Sequence, residues 1–489
     1  MTNKTIQQPA RENPLFGEYD VVVAGGGFAG FGAACSAAGN GARTLLVERL
    51  EMLGGLGAAG MVGNVSYGHH YVKAQGKVFD DIVAGLRRFK AIGEDSGYVR
   101  HKSWARDVKV YRQDGSGTYD LKESEPIFFS VTFNATVLPL VLQHVALQHG
   151  VELLYATDVI GATVENGVMT EAVIHNRSLS QRVRAKVFID GTGDGILSRH
   201  AGAEELPRDD TGHPNFIQPS NMVFLHPAGS REATTPRMEQ LESVDEPAIE
   251  RWSLWPEPGR VGIKMNLFHK PFNNADGATH SAAVSDFRRN IPRVVRAFQE
   301  RFATDADFRR QVADRGGATM AEAMNLDFEF AAPMLGIREG CRIAGDYVLA
   351  VDDLLHGRRF DDGVAFAMSV LDSHHAEKKK VPPFQIPYRS FLVKGLENVL
   401  VAGRCFSGDR LALSSTRVMP TGCLMGQACG HAAALAVAHD QPLRNVNPAD
   451  IRAHLLDGAE DADYMAERLA PPETSKGTGG MPRETGDAT

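Results

Sequence analysis

The pattern of apolar residues near the start of the chain predicts a strand, a helix and a second strand in quick succession. Residues 19–24 are mostly apolar and β-branched, residues 31–39 are small and rich in alanine, and residues 44–47 are mostly apolar again. Short apolar runs bounded by turn residues are typical of buried strands, and small residues between them suit a helix packed closely on a sheet. The pattern predicts a βαβ unit with parallel strands.

Other stretches show helical or strand periodicity as well. Ile82, Val83, Leu86 and Phe89 recur at helical spacing, which predicts an amphipathic helix over residues 80–90. Similar patterns predict a helix over residues 137–149, a strand over 151–155, paired strands over 171–190, and helices between 282 and 311 with a break at Pro292.

Three glycines follow the first predicted strand in the spacing G-x-G-x-x-G, at Gly25, Gly27 and Gly30. The first permits a tight turn, the second leaves room for a pyrophosphate near the backbone, and the third lets the helix lie close to the strand. The helix start then offers N–H groups to phosphates. Glu48 ends the second strand, where its carboxylate can accept hydrogen bonds from ribose hydroxyls and would repel a 2′-phosphate. The spacing therefore predicts an FAD or NAD site, with a purely structural glycine turn as the alternative.

Later glycine-rich turns favour FAD over NAD. The pair Gly54 and Gly55 follows the ribose-binding strand end, and a flavin with its ribityl chain favours a path without side chains there. A flexible loop is the alternative explanation. Residues 187–195 and 398–409 each form another strand that ends in a glycine-rich turn. Asp409 in the second of these turns is suited to ribityl hydroxyls or to a backbone amide near the phosphate.

A predicted helix near the carboxyl end has a glycine face. Gly422, Gly426 and Gly430 recur every fourth residue and so share one side of the helix. That side can pack very closely against a sheet or a ring, and close packing alone is the simpler explanation. The start of the helix can stabilise negative charge on a reduced flavin.

With these motifs in place, the chain resembles the FAD-dependent oxidoreductase family of the glutathione-reductase and fumarate-reductase superfamily. The resemblance spans most of residues 19–440, and it implies a bound FAD with an adenine contact at Val159. Arg410 stands where relatives often have histidine, and residues 338–342 lack a hydroxyl and one arginine of the family's R-E-[S/T]-R-R run. The motifs that carry the resemblance are residues 75–82, 336–347, 386–390, 398–403, 415–421 and 426–430. The predicted cofactor-binding residues are Gly25, Gly27, Phe28, Ala29, Gly30, Glu48, Arg49, Gly54, Gly55, Val159, Gly191, Gly193, Gly403, Asp409, Gly422 and Cys423.

These features predict an α/β fold, a discontinuous Rossmann-like FAD-binding domain with an inserted α+β substrate or cap domain. We expect residues 18–205 and 381–445 to form the FAD-binding domain. Residues 206–380 would form the insertion, which caps the flavin and builds the substrate pocket. Residues 470–489 are rich in proline, glycine, threonine and glutamate, and we expect a disordered tail there.

The composition limits the kinds of binding partner that we expect. The net charge is −8 and no basic patch stands out, so we expect no nucleic acid partner. The 5 cysteines form no C-x-x-C pair, which fits a reducing cytoplasm and gives no reason to expect a metal cluster. An apolar leader and a membrane-length apolar run are both missing from the pattern, so we expect no membrane partner. The electron acceptor and a homo-oligomeric state are left open.

Arginine suits a carboxylate substrate, because its guanidinium matches a carboxylate with two hydrogen bonds. For any one of the arginines, a structural ion pair is the alternative role. Arg417 is the best candidate, since it shortly precedes the helix whose start should face the flavin. The arginines considered are Arg338, Arg342, Arg389, Arg404 and Arg417.

Two adjacent histidines, His374 and His375, offer a general acid or base near neutral pH. An exposed loop is the alternative setting for them. His69 and His70 lie where some relatives carry a covalent flavin link, although no flanking motif supports that link here. The predicted catalytic residues are Arg417, His374, His375 and Arg338.

The favoured hypothesis is a flavoenzyme that transfers hydride between a small organic substrate, a carboxylate or an alcohol, and flavin N5. The alternatives are a flavin monooxygenase and a non-catalytic or RNA-directed flavin protein of the same fold. A second complete nucleotide motif is missing, which disfavours a bound nicotinamide.

Overall fold

The computed structural model describes residues 13–67, 75–92, 109–111, 118–120, 129–208, 220–228, 249–256, 262–269, 272–316, 323–369, 371 and 381–472. Its strands are β1 (Leu15–Ala24), β2 (Thr44–Val47), β3 (Asn64–Tyr67), β4 (Lys109–Tyr111), β5 (Thr118–Asp120), β6 (Phe129–Thr132), β7 (Glu152–Leu154), β8 (Asp158–Glu165), β9 (Val168–Asn176), β10 (Leu179–Asp190), β11 (Ser220–Pro227), β12 (Ile249–Pro256), β13 (Ile263–His269), β14 (Leu326–Ala331), β15 (Gly363–Ala367), β16 (Phe384–Pro387) and β17 (Val399–Val401). Its helices are α1 (Phe28–Gly39), α2 (Lys77–Arg88), α3 (Leu138–Gln148), α4 (Ile196–His200), α5 (Gly277–Thr304), α6 (Ala306–Gly316), α7 (Val351–Leu355), α8 (Arg410–Thr416), α9 (Met419–Ala438), α10 (Pro448–Leu456) and α11 (Ala462–Leu469).

The largest sheet combines a parallel half with an antiparallel hairpin. Its strands lie in the order β7-β2-β1-β10-β9-β8, and β17 also pairs with β10. β1 runs parallel to β2 and β10, and β10 runs parallel to β17, whereas β8 and β9 are antiparallel. The register brings Ala24, Val47, Asp190 and Val401 side by side at the carboxyl ends of the parallel strands. The turns that follow these strands therefore meet at one edge, where open α/β sheets bind their ligands.

Helices α1 and α9 approach each other through glycines. A Cβ atom on Gly426 would lie 1.9 Å from the carbonyl oxygen of Ala29, and one on Gly430 would lie 2.3 Å from that of Ala33. No side chain fits at such distances. The predicted close packing of the glycine face is confirmed, but its partner is helix α1 rather than a sheet or a ring.

A second, antiparallel sheet has the strand order β12-β13-β11-β14. Ile263, Met265 and Leu267 of β13 form a separate hydrophobic core with Phe287 and other residues of α5. Helix α5 runs unbroken through Pro292, so the predicted break is wrong. The proline removes one backbone hydrogen bond, and the buried apolar face of the helix compensates for that loss.

The two cores confirm the predicted fold class, an α/β Rossmann-like unit with an inserted α+β unit. The second core draws on residues between 223 and 337. Ile343, Leu349, Val364 and Phe366 instead belong to the first core. The boundary at residues 380/381 stays a prediction, and this distribution leads us to propose that the inserted unit ends near residue 340.

Candidate functional site

A cavity of about 480 Å³ lies at the carboxyl edge of the parallel strands. The turns after β1, β2, β10 and β17, the hairpin β8–β9 and the start of α9 form its wall. The cavity lining includes these predicted cofactor-binding residues: Gly25, Gly27, Phe28, Ala29, Glu48, Arg49, Gly54, Gly55, Val159, Gly191, Gly193, Gly403 and Gly422.

The three motif glycines meet different surroundings. A Cβ atom on Gly25, whose φ is +92°, would lie 2.7 Å from the carbonyl oxygen of Gly191. One on Gly30 would lie 1.9 Å from the carbonyl oxygen of Gly25. One on Gly27 would meet no atom of the described chain within 4 Å. Gly25 and Gly30 are therefore required for packing, whereas Gly27 leaves space beside the cavity that a diphosphate can occupy.

Helix α1 begins at that space. Gly27 is its N-cap residue, and within the described residues no side chain caps this end. The first N–H groups of a helix carry partial positive charge and suit an anion. This end of α1 is therefore a fitting place for the phosphates of a dinucleotide.

Glu48 provides a buried acidic group in the cavity wall. Its side chain is only 5% exposed. The carboxylate accepts hydrogen bonds from the backbone N–H groups of Gly26 at 2.6 Å and Leu50 at 2.8 Å. Burial raises the pKa of Glu48, and these two hydrogen bonds oppose the rise. A carboxylate held in this way at the end of β2 can also accept hydrogen bonds from ribose hydroxyls.

The hairpin β8–β9 forms one end of the cavity. Thr157, Ile160 and His175 line the wall beside Val159. No local motif indicates the first three, because strand pairing brings them to the cavity. The apolar side chains of Val159 and Ile160 on this strand suit an adenine.

The opposite end is built from residues 54–60, which we call the glycine segment, and from the start of α9. Gly55–Gly57 forms a short 3₁₀ turn whose residues line the cavity. Val418 and Met419 at the start of α9 lie across from this turn, and Met334 reaches the cavity from the inserted unit. A wall of glycines and apolar side chains suits a flat aromatic ring system.

The turn after β10 supports the middle of the cavity. Asp190 is fully buried and accepts hydrogen bonds from the Thr192 hydroxyl at 2.7 Å and the backbone N–H of Ser198 at 2.8 Å. A Cβ atom on Gly193 would lie 2.4 Å from an Arg404 guanidinium nitrogen. Gly193 and Gly403 thus let two turns and one arginine meet at the cavity wall.

Three predicted cofactor-binding residues do not line the cavity. Gly30 packs beneath the turn at Gly25, as its motif position requires. Asp409 is the N-cap of α8, and its carboxylate accepts hydrogen bonds from the N–H groups of Ala412 at 2.7 Å and Val351 at 2.5 Å. Cys423 is buried in the contact between α1 and α9. These contacts support structural roles for all three.

The predicted catalytic residues are only partly brought together. Arg417 is half-buried and lines the cavity. Arg338 does not line it, and its guanidinium carbon lies 5.7 Å from the centre of the Phe268 ring. His374 and His375 lie outside the described residues, as do His69 and His70.

The remaining arginines differ in setting. Arg389 forms hydrogen bonds to Asp362 at 2.9 and 3.2 Å, and Arg342 is buried and donates to backbone carbonyl oxygens. Both sets of contacts support a structural role for these two arginines. Arg404 lines the cavity, where it donates to the carbonyl oxygen of Ile337 at 3.0 Å.

The described ranges contain no group of three or more His, Cys, Asp or Glu side chains arranged to hold a metal ion. Among the helices of these ranges, none combines the length and hydropathy that a membrane-spanning segment requires.

The residues around the cavity fit FAD. The open space at Gly27 beside the start of α1 suits the diphosphate, Glu48 suits a ribose, and the glycine and apolar wall suits the flavin ring.

The chain is similar to several solved structures at low sequence identity. A geranylgeranyl bacteriochlorophyll reductase-like protein from Thermoplasma acidophilum is 14% identical, with 92% of this chain and 84% of that chain covered and a TM-score of 0.44. A flavoprotein/dehydrogenase from Cytophaga hutchinsonii is 12% identical, with 92% and 86% covered and a TM-score of 0.44. OxyS anhydrotetracycline hydroxylase from Streptomyces rimosus is 14% identical, with 92% and 68% covered and a TM-score of 0.39.

Comparison with curated protein sequences found no match. The family model described as FAD dependent oxidoreductase matches residues 20–455, which is most of the chain. The predicted family, enzyme class and cofactor are therefore confirmed, and the chain belongs to the FAD-dependent oxidoreductase family, with FAD as its cofactor.

Proposed function

We propose that the protein transfers hydride between a small organic substrate, a carboxylate or an alcohol, and N5 of the flavin. The observation that supports this proposal most directly is the position of Arg417, a half-buried cation in the wall of the cofactor cavity. Bound FAD supplies the group that accepts or donates hydride. The protein must then bind the substrate, orient it and exclude water.

Arg417 is suited to orienting an anionic substrate. It is the C-cap residue of α8 and directly precedes Val418, the N-cap residue of α9. Two helix ends thus limit the freedom of its backbone. A guanidinium held in this way can bind a carboxylate through two hydrogen bonds and fix its orientation.

The start of α9 contributes a second positive field. Met419 and Gly422 in its first turn both line the cavity. The positive end of a 20-residue helix stabilises negative charge that develops nearby. We infer that Arg417 and this helix end act together on anionic groups at the flavin end of the cavity.

Met334 contributes to excluding water. It lines the cavity from the inserted unit, and its backbone N–H donates to the carbonyl oxygen of Ala59 at 3.3 Å. The inserted unit therefore lies against the glycine segment of the first unit. Excluding water from this end strengthens the electrostatic effects of Arg417 and α9.

The test is anaerobic reduction of the bound flavin. Purified holoprotein would be mixed under argon with hydroxy acids, simple alcohols and saturated carboxylates, and the flavin absorbance followed. We expect at least one class to bleach the flavin. The variant Arg417→Gln should slow bleaching by carboxylates about tenfold or more, because it loses the charged pair.

Arg389→Gln is the matched control, since this arginine pairs with Asp362 and does not line the cavity. It should bleach at the native rate. Failure of every class to bleach the flavin would refute hydride transfer. Oxygen consumption that depends on NADH or NADPH would instead support a monooxygenase.

A further inference from the structure

The inserted sheet has a second buried face, opposite its own core. Along β13, Ile263, Met265 and Leu267 belong to the second core. Side chains alternate along a strand, so Lys264 and Asn266 lie on the other face. Lys264 is 1% exposed and Asn266 is 5% exposed, so this face is covered as well.

The cover is the cofactor-binding unit. Met222 pairs with Asn266 in the register of β11 and β13, and it belongs to the first hydrophobic core. Phe224 pairs with Lys264 and stacks on Phe330 with ring centres 5.5 Å apart. Phe330 packs against the first core in turn. The polar side chains of β13 therefore lie between the two units.

This face lies against the glycine segment at the flavin end of the cavity. Lys264 Nζ is 3.4 Å from the carbonyl oxygen of Met61, which directly follows that segment. Met334, which lines the cavity, contacts the same segment at Ala59. Two separate contacts thus join the inserted sheet to the segment whose glycines line the cavity.

Asn266 has an unsatisfied acceptor. Its side-chain oxygen is buried and, among the described residues, receives no hydrogen bond. Buried amide oxygens are almost always paired, and an unpaired one is destabilising, so each case calls for an explanation. A ligand with a hydrogen-bond donor would satisfy it. A hydroxyl group is such a donor, whereas an ionised carboxylate or a ketone is not.

Cationic groups accompany this acceptor. Lys264 carries an ammonium group two residues before Asn266, on the same face. Arg338 lies over the ring of Phe268, which continues that face two residues after Asn266. The face therefore combines positive charge for an anion with an acceptor for a hydroxyl.

We propose that Lys264 and Asn266 bind the substrate, and that the substrate is a small hydroxy acid. Its carboxylate would be held by Lys264 and its hydroxyl would donate to Asn266 Oδ1. The inference rests on the proposed hydride transfer and narrows its substrate class. It assigns the inserted sheet the task of recognising the hydroxyl, and Lys264 then shares the carboxylate with Arg417.

The test is ligand binding to the oxidised holoprotein. Glycolate and lactate would be compared with acetate and propionate, which lack the hydroxyl, through changes in the flavin absorbance spectrum. We expect the native protein to bind each hydroxy acid about tenfold or more tightly than its counterpart, because a site built for a hydroxyl rejects the analogue without one. Equal affinity for both series, or no binding of either hydroxy acid, would overturn the inference.

Two variants test which residue causes the preference for hydroxy acids over acids that lack the hydroxyl. Asn266→Leu should abolish it, so that the ratio of the two dissociation constants falls to about one. Lys264→Met should weaken all four ligands about tenfold and leave the ratio unchanged. Asn290→Leu is the matched control, since Asn290 is also buried with an unsatisfied oxygen but lies on α5. It should keep the native ratio.

Several outcomes separate this inference from the proposed function. If Asn266→Leu does not fold, Asn266→Ala replaces it, and the native ratio and Lys264→Met remain decisive. A native ratio in a folded, FAD-loaded Asn266 variant would overturn the role of Asn266. Selective binding of hydroxy acids without bleaching of the flavin would support the binding site and refute hydride transfer. Bleaching of the flavin by acids that lack a hydroxyl, with no preferential binding of hydroxy acids, would support hydride transfer and overturn the proposed binding site.

Discussion

At the scale of single residues, Gly25, Gly27 and Gly30 meet three different constraints. Gly25 needs a positive φ of +92° and Gly30 touches backbone, so both serve the turn itself. A Cβ atom on Gly27 would point into open space in the described chain. Only the second glycine of the motif is therefore free to change without disturbing the fold.

A pair of variants tests this difference. Gly27→Val should leave the apoprotein folded but weaken FAD binding by about tenfold or more, because the side chain occupies the space beside the start of α1. Gly30→Ala should destabilise the protein by about 3 kcal/mol or more, because the new methyl group meets a backbone oxygen. Urea denaturation and FAD titration of the apoproteins measure the two effects. Equal loss of stability in both variants would contradict this assignment.

At the scale of elements, α2 is joined to the segment between α10 and α11 through Asp80. This carboxylate is 7% exposed and accepts a hydrogen bond from the backbone N–H of Glu460 at 3.0 Å. Burial raises the pKa of Asp80 to about 7, and the nearby Glu460, Asp461 and Asp81 charges add to the rise. The helix thus carries an acid that titrates near neutral pH.

The pH dependence of stability tests that titration. An unfolded aspartate ionises near 3.8, whereas folded Asp80 ionises near 7, so the folded state binds more protons between these values. The free energy of unfolding should therefore fall as pH rises from about 4 to about 7. Asp80→Asn should remove that fall and raise stability at pH 8 by about 1–3 kcal/mol. Urea denaturation between pH 5 and 8 measures it.

Asp81→Asn is the control for the helix. Burial alone would raise the pKa of Asp81, but the hydrogen bond between His149 and Asp81 lowers it below its usual value. This variant should lose stability at neutral pH and keep most of the slope between pH 5 and 7, because burial is a larger cause of the raised pKa of Asp80 than the Asp81 charge. An Asp80→Asn variant with the native slope would show that Asp80 is ionised in the folded protein over this range.

At the scale of the whole molecule, the cofactor cavity lies against both units. Most of its wall comes from the turns of the parallel sheet, and Met334 adds a contact from the inserted unit. Arg49 also approaches Met334, with 3.9 Å between its guanidinium and the sulfur. Bound FAD should therefore stabilise the first unit and the contact between the two.

Removal of FAD tests this coupling. A ligand present at 100 times its dissociation constant stabilises the folded state by about 2.7 kcal/mol. The melting temperature of the apoprotein should accordingly lie several degrees below that of the holoprotein and recover when FAD is added. The Gly27→Val variant should show a smaller recovery at the same FAD concentration. Identical melting curves with and without FAD would mean that the cavity does not bind the cofactor in the folded state.

Several features could be predicted from the sequence because their causes are local. The motif glycines, Glu48 at the end of β2 and the glycine face of α9 each follow from steric or hydrogen-bonding needs within one or two turns of chain. The predicted helix break at Pro292 is wrong because buried packing along α5 outweighs the local tendency of proline to interrupt a helix. Asp409 could not be placed from its turn alone, because capping α8 depends on where α8 begins.

The sequence by itself determined the βαβ unit, the cofactor and the family, since these depend on residue types at short, fixed spacings. Only the tertiary structure decided that Thr157 and His175 share a cavity with Gly27, and that Arg417 reaches it. It also placed Lys264 and Asn266 on a buried face between the units. These positions depend on strand pairing and packing between segments far apart in the chain, which no local pattern encodes.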